Sequence, residues 1–162
     1  MTALFSSCGQ YRYTLERPIA LVPKRWLLWC CLNPSRAGAV QNDTSVSCMV
    51  RFTRDLGYDG MLLGNLYAFI ATKPAEMWAH LKAGGNIVGP QNDEHLNQLA
   101  QRADAVVLAW GVHAEKNPRR AEYVRRLLGK RLELFALGFT ASGQPVHPLR
   151  QPADLRLTRY AA

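Results

Sequence analysis

Polar residues able to do chemistry interrupt this chain at four places, each at the end of an apolar run. Asn33-Pro34-Ser35 follows "RWLLWCCL", and Asn65-Leu66-Tyr67 follows "GMLLG". Trp110-Gly111 closes "DAVVLA", and "LELFALGF" leads to Thr140, Ser142 and then His147-Pro148-Leu149-Arg150. An asparagine amide is donor and acceptor at once, and an imidazole can donate while neutral. Asp43, in "QNDTS", adds a carboxylate, which can take a proton where an amide cannot. Each residue also has a plainer use. Asn33 could cap a turn, Asn65 could tie two loops, His147 could be a loop histidine and Asp43 could cap a helix. Trp110 is expected in the core rather than at chemistry. His80, His95 and His113 are expected to have no chemical role.

Elements must hold these residues together, and their pattern is regular. "YRYTLER" (11–17) reads as an edge strand with alternating faces. "RWLLWCCLN" (25–33) is a continuous apolar run, the mark of a strand covered on both sides. "SVSCMVRFTRDLGY" (45–58) has helical spacing, with Thr44 or Ser45 as cap and Gly57 as stop. A second buried strand, 60–69, is followed by helices 74–84, with Pro at its start and Gly after its end, and 89–103. A third strand, 104–111, a helix with a basic face, 118–130, and a fourth strand, 132–140, complete the set. A loop, 142–150, and a polar tail follow. Strands alternating with helices predict an α/β fold, a three-layer αβα sandwich with a mainly parallel central sheet. Ligands of such sheets sit beyond the carboxyl ends of the strands, where all four polar groups fall.

The totals narrow the class. A length of 162 residues fits one domain, here 1–162, and 48% hydrophobic residues suit a globular core. No stretch approaches the roughly 20 apolar residues of a membrane span. Residues 1–17 lack the pattern of a signal peptide, so no membrane partner and a cytoplasmic location are expected. The four cysteines form no Cys-x-x-Cys pair, and the histidines lack metal-ligand spacing, so buried reduced thiols are expected, with no metal and no cofactor. The net charge of +8, carried mostly by arginine, favours a polyanionic partner. Gly-x-Ser-x-Gly and Gly-x-x-x-x-Gly-Lys are absent, which argues against a serine-hydrolase elbow and a phosphate loop.

"LNPSRAG…NDTS", "GNLYAFIATKP", "VVLAWG" and "LGFTASGQPVHPLR" together resemble the bacterial domain-of-unknown-function 1643 family, over about residues 10–150. More distantly, Leu32-Asn33-Pro34, Asn65, the Trp110-Gly111 strand end and "VHPLR" are similar to the ordered motifs of the uracil-DNA glycosylase superfamily. That resemblance implies a glycosylase-like fold and a DNA glycosylase that flips a base from DNA, duplex in the first instance, into a pocket. The first motif has no obvious catalytic lysine, since Lys24 precedes its strand, so a monofunctional enzyme is expected, and a monomer. Asn33 would then orient the water, with Asp43 as rival for that role, and His147 would donate to the departing base anion. Asn65, Pro34, Tyr67 and Trp110 would form the base pocket. Leu149 would wedge into the stack. Ser35, Arg36, Thr140, Ser142 and Arg150 would hold phosphates, with Arg119 and Arg120 extending the footprint.

One departure matters. Uracil-specific members carry Asp-Pro-Tyr at the first motif, where the ring blocks 5-substituted bases. Here Ser35, Arg36, Ala37 and Gly38 follow Asn33-Pro34. Small residues leave room, so a 5-substituted pyrimidine such as a phage hypermodified cytosine is the expected target, and its excision would be antiviral. Two other classes remain open: a non-catalytic nucleic-acid-binding module, and a hydrolase of a nucleotide-like phosphorylated small molecule.

Overall fold

A computed structural model describes residues 1–35, 41–149, 151–152 and 156–160. The central apolar run splits its side chains between two cores, because successive strand residues point to opposite faces. Leu27, Trp29 and Cys31 pack on one face with Val46, Met49 and Phe52. Leu28, Cys30 and Leu32 pack on the other with Leu96, Leu99, Val124 and Leu128.

In chain order the strands are β1 (Thr2–Phe5), β2 (Arg12–Pro18), β3 (Trp26–Cys31), β4 (Gly60–Asn65), β5 (Ala105–Leu108), β6 (Leu134–Ala136) and β7 (Thr158–Arg159). The helices are α1 (Thr44–Asp55), α2 (Pro74–Lys82), α3 (Asn92–Arg102) and α4 (Pro118–Gly129). A 3-10 turn spans Val112–Lys116. The strands form one sheet in the order β1-β2-β4-β3-β5-β6-β7. The pairs β4–β3, β3–β5 and β5–β6 are parallel, while β1–β2, β2–β4 and β6–β7 are antiparallel. The sheet is therefore mixed, with its parallel pairs confined to the centre. α1 covers one face, and α2, α3 and α4 supply Met77, Leu96 and Val124 to the other.

The chain steps from β3 outward to β4, then returns past β3 to β5. That reversal opens a crevice at the carboxyl ends of β3 and β5, the place where open α/β sheets bind ligands. Three local features shape it. Asp43 caps α1 by accepting the Val46 N–H at 2.7 Å, so the cap lies just before the Thr44 or Ser45 expected from sequence. Pro74 opens α2, and Gly84 (φ 85°) follows its end, as expected. The loops after β3 and β4 are stitched together by Ala71 N–H to the Pro34 carbonyl at 3.0 Å.

Three expectations are corrected. The 11–17 strand is not at the edge, because β1 pairs outside it, and Arg12 and Arg17 are buried there. The 132–140 strand shortens to Leu134–Ala136, and the tail returns as β7. Cys8 is exposed, whereas Cys30 and Cys31 are buried. No helix of the described residues is long and apolar enough to cross a membrane.

Candidate functional site

A cavity of about 710 Å³ fills the crevice. Leu32, Asn33 and Ser35 enter it from the end of β3, and Trp110 and Gly111 from the end of β5. Val146, His147 and Leu149 close it from the loop after β6, with Thr140 and Gln151 nearby. No Lys, Arg, Asp or Glu stands among its described lining residues. A second chamber of about 60 Å³ shares Cys31, Asn33, Ser35, Ser45 and His147 with the large cavity. It adds Arg12, Asp43 and Asn65, so the charged groups lie in this inner space.

Asn33 is held in one orientation. Its Nδ2 donates to the carbonyls of Pro34 (3.0 Å) and Ala71 (2.9 Å). Two carbonyl acceptors identify that atom as nitrogen and use both amide hydrogens. Oδ1 is the group left for an occupant. Pro34 is buried, and its carbonyl receives Asn33 and Ala71; it is the corner's anchor rather than part of the cavity wall.

The His147 loop is tied at three points. Gly111 N–H donates to the Pro145 carbonyl at 2.8 Å, and Trp110 Nε1 donates to Gln144 Oε1 at 2.9 Å. Cys48 Sγ lies 3.4 Å from the Pro148 carbonyl, linking α1 to the same loop. The Leu149 N–H donates to His147 Nδ1 at 3.2 Å. Nδ1 is therefore unprotonated, and the neutral ring carries its hydrogen on Nε2. Burial holds the imidazole below its ordinary pKa, against a smaller upward pull from Asp43. At neutral pH the ring is an uncharged donor.

Asp43 is fully engaged as an acceptor. One oxygen caps α1, and the other receives the Ser35 hydroxyl. Asn65 is 2% exposed, lies in the inner chamber and accepts Asn92 Nδ2 only on its backbone carbonyl, at 3.0 Å. Motif reading does not single out Arg12, which opens β2 rather than ending a strand. Its Nη1 donates to the Ser35 carbonyl at 3.4 Å. Burial pushes its pKa down to about 10, partly offset by Asp43, so it stays charged at neutral pH. Cys31 is no nucleophile here, because burial raises its thiol to about 12.

Other expected residues divide. Trp110, Thr140 and Leu149 line the cavity, Trp110 at 3% exposure. Tyr67 does not. It is buried in the core on the edge of Trp78, because strand β4 stops at Asn65 and the next residues turn inward. Ser142 donates to the Glu115 carboxylate, which places a negative charge where a phosphate contact was expected. Arg120 is likewise committed: its Nε donates to the Leu66 carbonyl at 2.8 Å and its Nη2 pairs with Asp93 at 2.5 Å. Arg125 and Arg126 share the single carboxylate of Glu122, so the basic face of α4 is only partly neutralised. Arg119 is exposed. Arg36 and Arg150 lie outside the described residues. His113, expected to have no role, lines the cavity mouth. Among the described residues no group of three His, Cys, Asp or Glu could hold a metal ion.

The profile of a family described as protein of unknown function, DUF1643, matches residues 12–149. The chain belongs to the DUF1643 family. The matched span runs from Arg12 to Leu149, so the DUF1643 region includes every described residue named above at the inner chamber. Comparison with curated proteins and with solved structures gives no match.

Proposed function

We propose that this DUF1643 protein is a monofunctional DNA glycosylase with a uracil-DNA-glycosylase-like fold, acting on a flipped pyrimidine with a bulky 5-substituent. The observation that carries the reading is the pairing of Asn33 and His147 on one cavity whose described lining residues include no Lys, Arg, Asp or Glu. Asn33 offers a fixed amide oxygen, and His147 a neutral Nε2–H donor. Hydrolysis of an N-glycosidic bond needs a positioned water and a donor where negative charge develops on the base. A preorganised donor in a partly buried site costs no rearrangement as that charge appears.

The cavity favours this reading over the two rivals. Its volume, about 710 Å³, lies in the range that encloses whole organic ligands, so a base with a substituent fits. A phosphorylated small molecule would call for cations in the cavity wall, and the described wall has none. A mere binding module would not need an oriented amide opposite a neutral imidazole in a recess. No lysine lines the described cavity, so water rather than an amine is the nucleophile in this reading. If the base is a phage-modified cytosine, excision serves antiviral defence in the bacterium.

The test is an excision assay on duplex DNAs carrying uracil, 5-hydroxymethylcytosine or its glucosylated form, with alkali to cleave abasic sites. Strand breaks on a 5-substituted cytosine support the proposal. Efficient excision of uracil with none of the others refutes the 5-substituent specificity. No breaks, with DNA binding intact, favours the binding module.

A further inference from the structure

The inner chamber, about 60 Å³, has room for one or two water molecules and none for a base. It lies next to the large cavity, and Asn33, Ser35 and His147 line both spaces and mark the junction. Asn65 reaches only the inner one. The residue is 2% exposed, no described residue bonds its side chain, and its amide atoms are not fully occluded, so the chamber is what they meet. Burying an amide without a hydrogen bond is costly, so this chamber calls for a polar occupant.

We propose that the chamber holds the attacking water and that the water's proton leaves through Ser35 to Asp43. This rests on the glycosylase reading above and extends it. Asn33 orients a water through Oδ1, but an amide does not take up a proton. Ser35 Oγ already donates to Asp43 Oδ2. As the water oxygen bonds to C1′ of the sugar, the N-glycosidic bond breaks and its electron pair leaves with the base. The water's proton passes to Ser35 Oγ while the Ser35 proton passes to Asp43 Oδ2. His147 stabilises the base anion by hydrogen bonding, the anion takes a proton from solvent, and Asp43 returns its proton to solvent. The sum is hydrolysis, with water as the sole co-reactant.

The division of labour at Asp43 is geometric. One oxygen serves the helix cap through Val46 and the other serves the relay. The charged or titratable groups facing it are the Arg12 guanidinium from β2, the Cys31 thiol from β3 and the His147 imidazole from the loop after β6. Asp43 thus joins the chemistry without touching the sugar, and Ser35 is the group at the junction.

Single-turnover excision by wild type, Ser35→Ala, Ser35→Thr and Asp43→Asn on the same three duplexes tests the relay. Ser35→Ala and Asp43→Asn are expected to lose about 100-fold or more in rate. Their DNA affinity stays at the wild-type value, and Asn still accepts the Val46 N–H as a cap. Asp43→Asn also removes the charge beside the buried Arg12 guanidinium and lowers the melting temperature, so Ser35→Ala, which keeps that charge, carries the rate comparison. Ser35→Thr keeps the hydroxyl and most of the rate. A Ser35→Ala variant as fast as wild type overturns the relay, as does an Asp43→Asn variant as fast as wild type. A wild type that excises nothing overturns the glycosylase reading and the relay with it. The two failures differ in whether the parent protein is active.

Discussion

Replacing Asn65 with leucine should make the protein more stable and abolish its activity. Asn65 is 2% exposed at the end of β4, with its side-chain amide turned to a chamber of about 60 Å³. A buried polar group without a protein partner costs about 1–3 kcal/mol, and bound water recovers part of that. Leucine has the same branched shape, with two methyls in place of the amide oxygen and nitrogen, and the chamber provides space for their slightly larger volume, so overpacking is limited. The backbone carbonyl that receives Asn92 is untouched. The net expectation is a gain of about 1–2 kcal/mol, or roughly 2–8 °C in melting temperature for a domain of this size. Excision should fall about 100-fold or more as the water's place is filled. Thermal denaturation and single-turnover kinetics on one preparation decide the matter. A variant destabilised by about 2 kcal/mol or more refutes the reasoning, since Asn65 would then be a structural tie. A stable and fully active variant would remove the chamber from the chemistry.

His147 carries a pH signature of its own. Its folded pKa lies below the ordinary 6.5, so the unfolded chain binds the extra proton first. Stability from this group is complete above about pH 6.5 and is lost as pH falls through the depressed folded value. His147→Gln should flatten that part of the stability curve measured by denaturant titration. The α4 arginines should separate cleanly. Arg120→Ala, which removes a charged donor from the Leu66 carbonyl and leaves it only the Asn92 amide at 3.2 Å, and which breaks the ion pair with Asp93, should cost about 1–3 kcal/mol in urea melts. Arg119→Ala should leave stability unchanged and lower the salt slope of DNA binding. Gly64→Ala should destabilise by about 1–3 kcal/mol, because its Cβ would stand 2.6 Å from Leu96 Cδ2 at the β4–α3 contact.

Periodicity made the central strands and all four helices legible, because each buries a face of its own. Trp26–Cys31 and Gly60–Asn65 lie inside the expected runs. The outer strands were harder. β1 and β7 are short and largely exposed, so they carry no apolar alternation to read. Strand order is also unreadable from local pattern, which is why the crevice between β3 and β5 could be placed only at the level of "carboxyl ends". Within the site, residues that end strands were visible: Asn33, Trp110 and, through its loop, His147. Arg12 was not, since it lies within a strand and reaches the chamber by sheet packing alone. Arg120 and Tyr67 misled for the converse reason. Their types suit DNA and base contacts, but tertiary partners, Asp93 with the Leu66 carbonyl and the ring of Trp78, claim them.

The central claim is that Asn33 and His147 together break a glycosidic bond. Single-turnover excision by wild type, Asn33→Ala, His147→Ala and the double variant, on the duplex the wild type cleaves best, tests it most directly. The account predicts that each single variant loses about 100-fold or more in rate, with duplex affinity retained, and that the double variant is inactive. Variants that excise the base at the wild-type rate would contradict it.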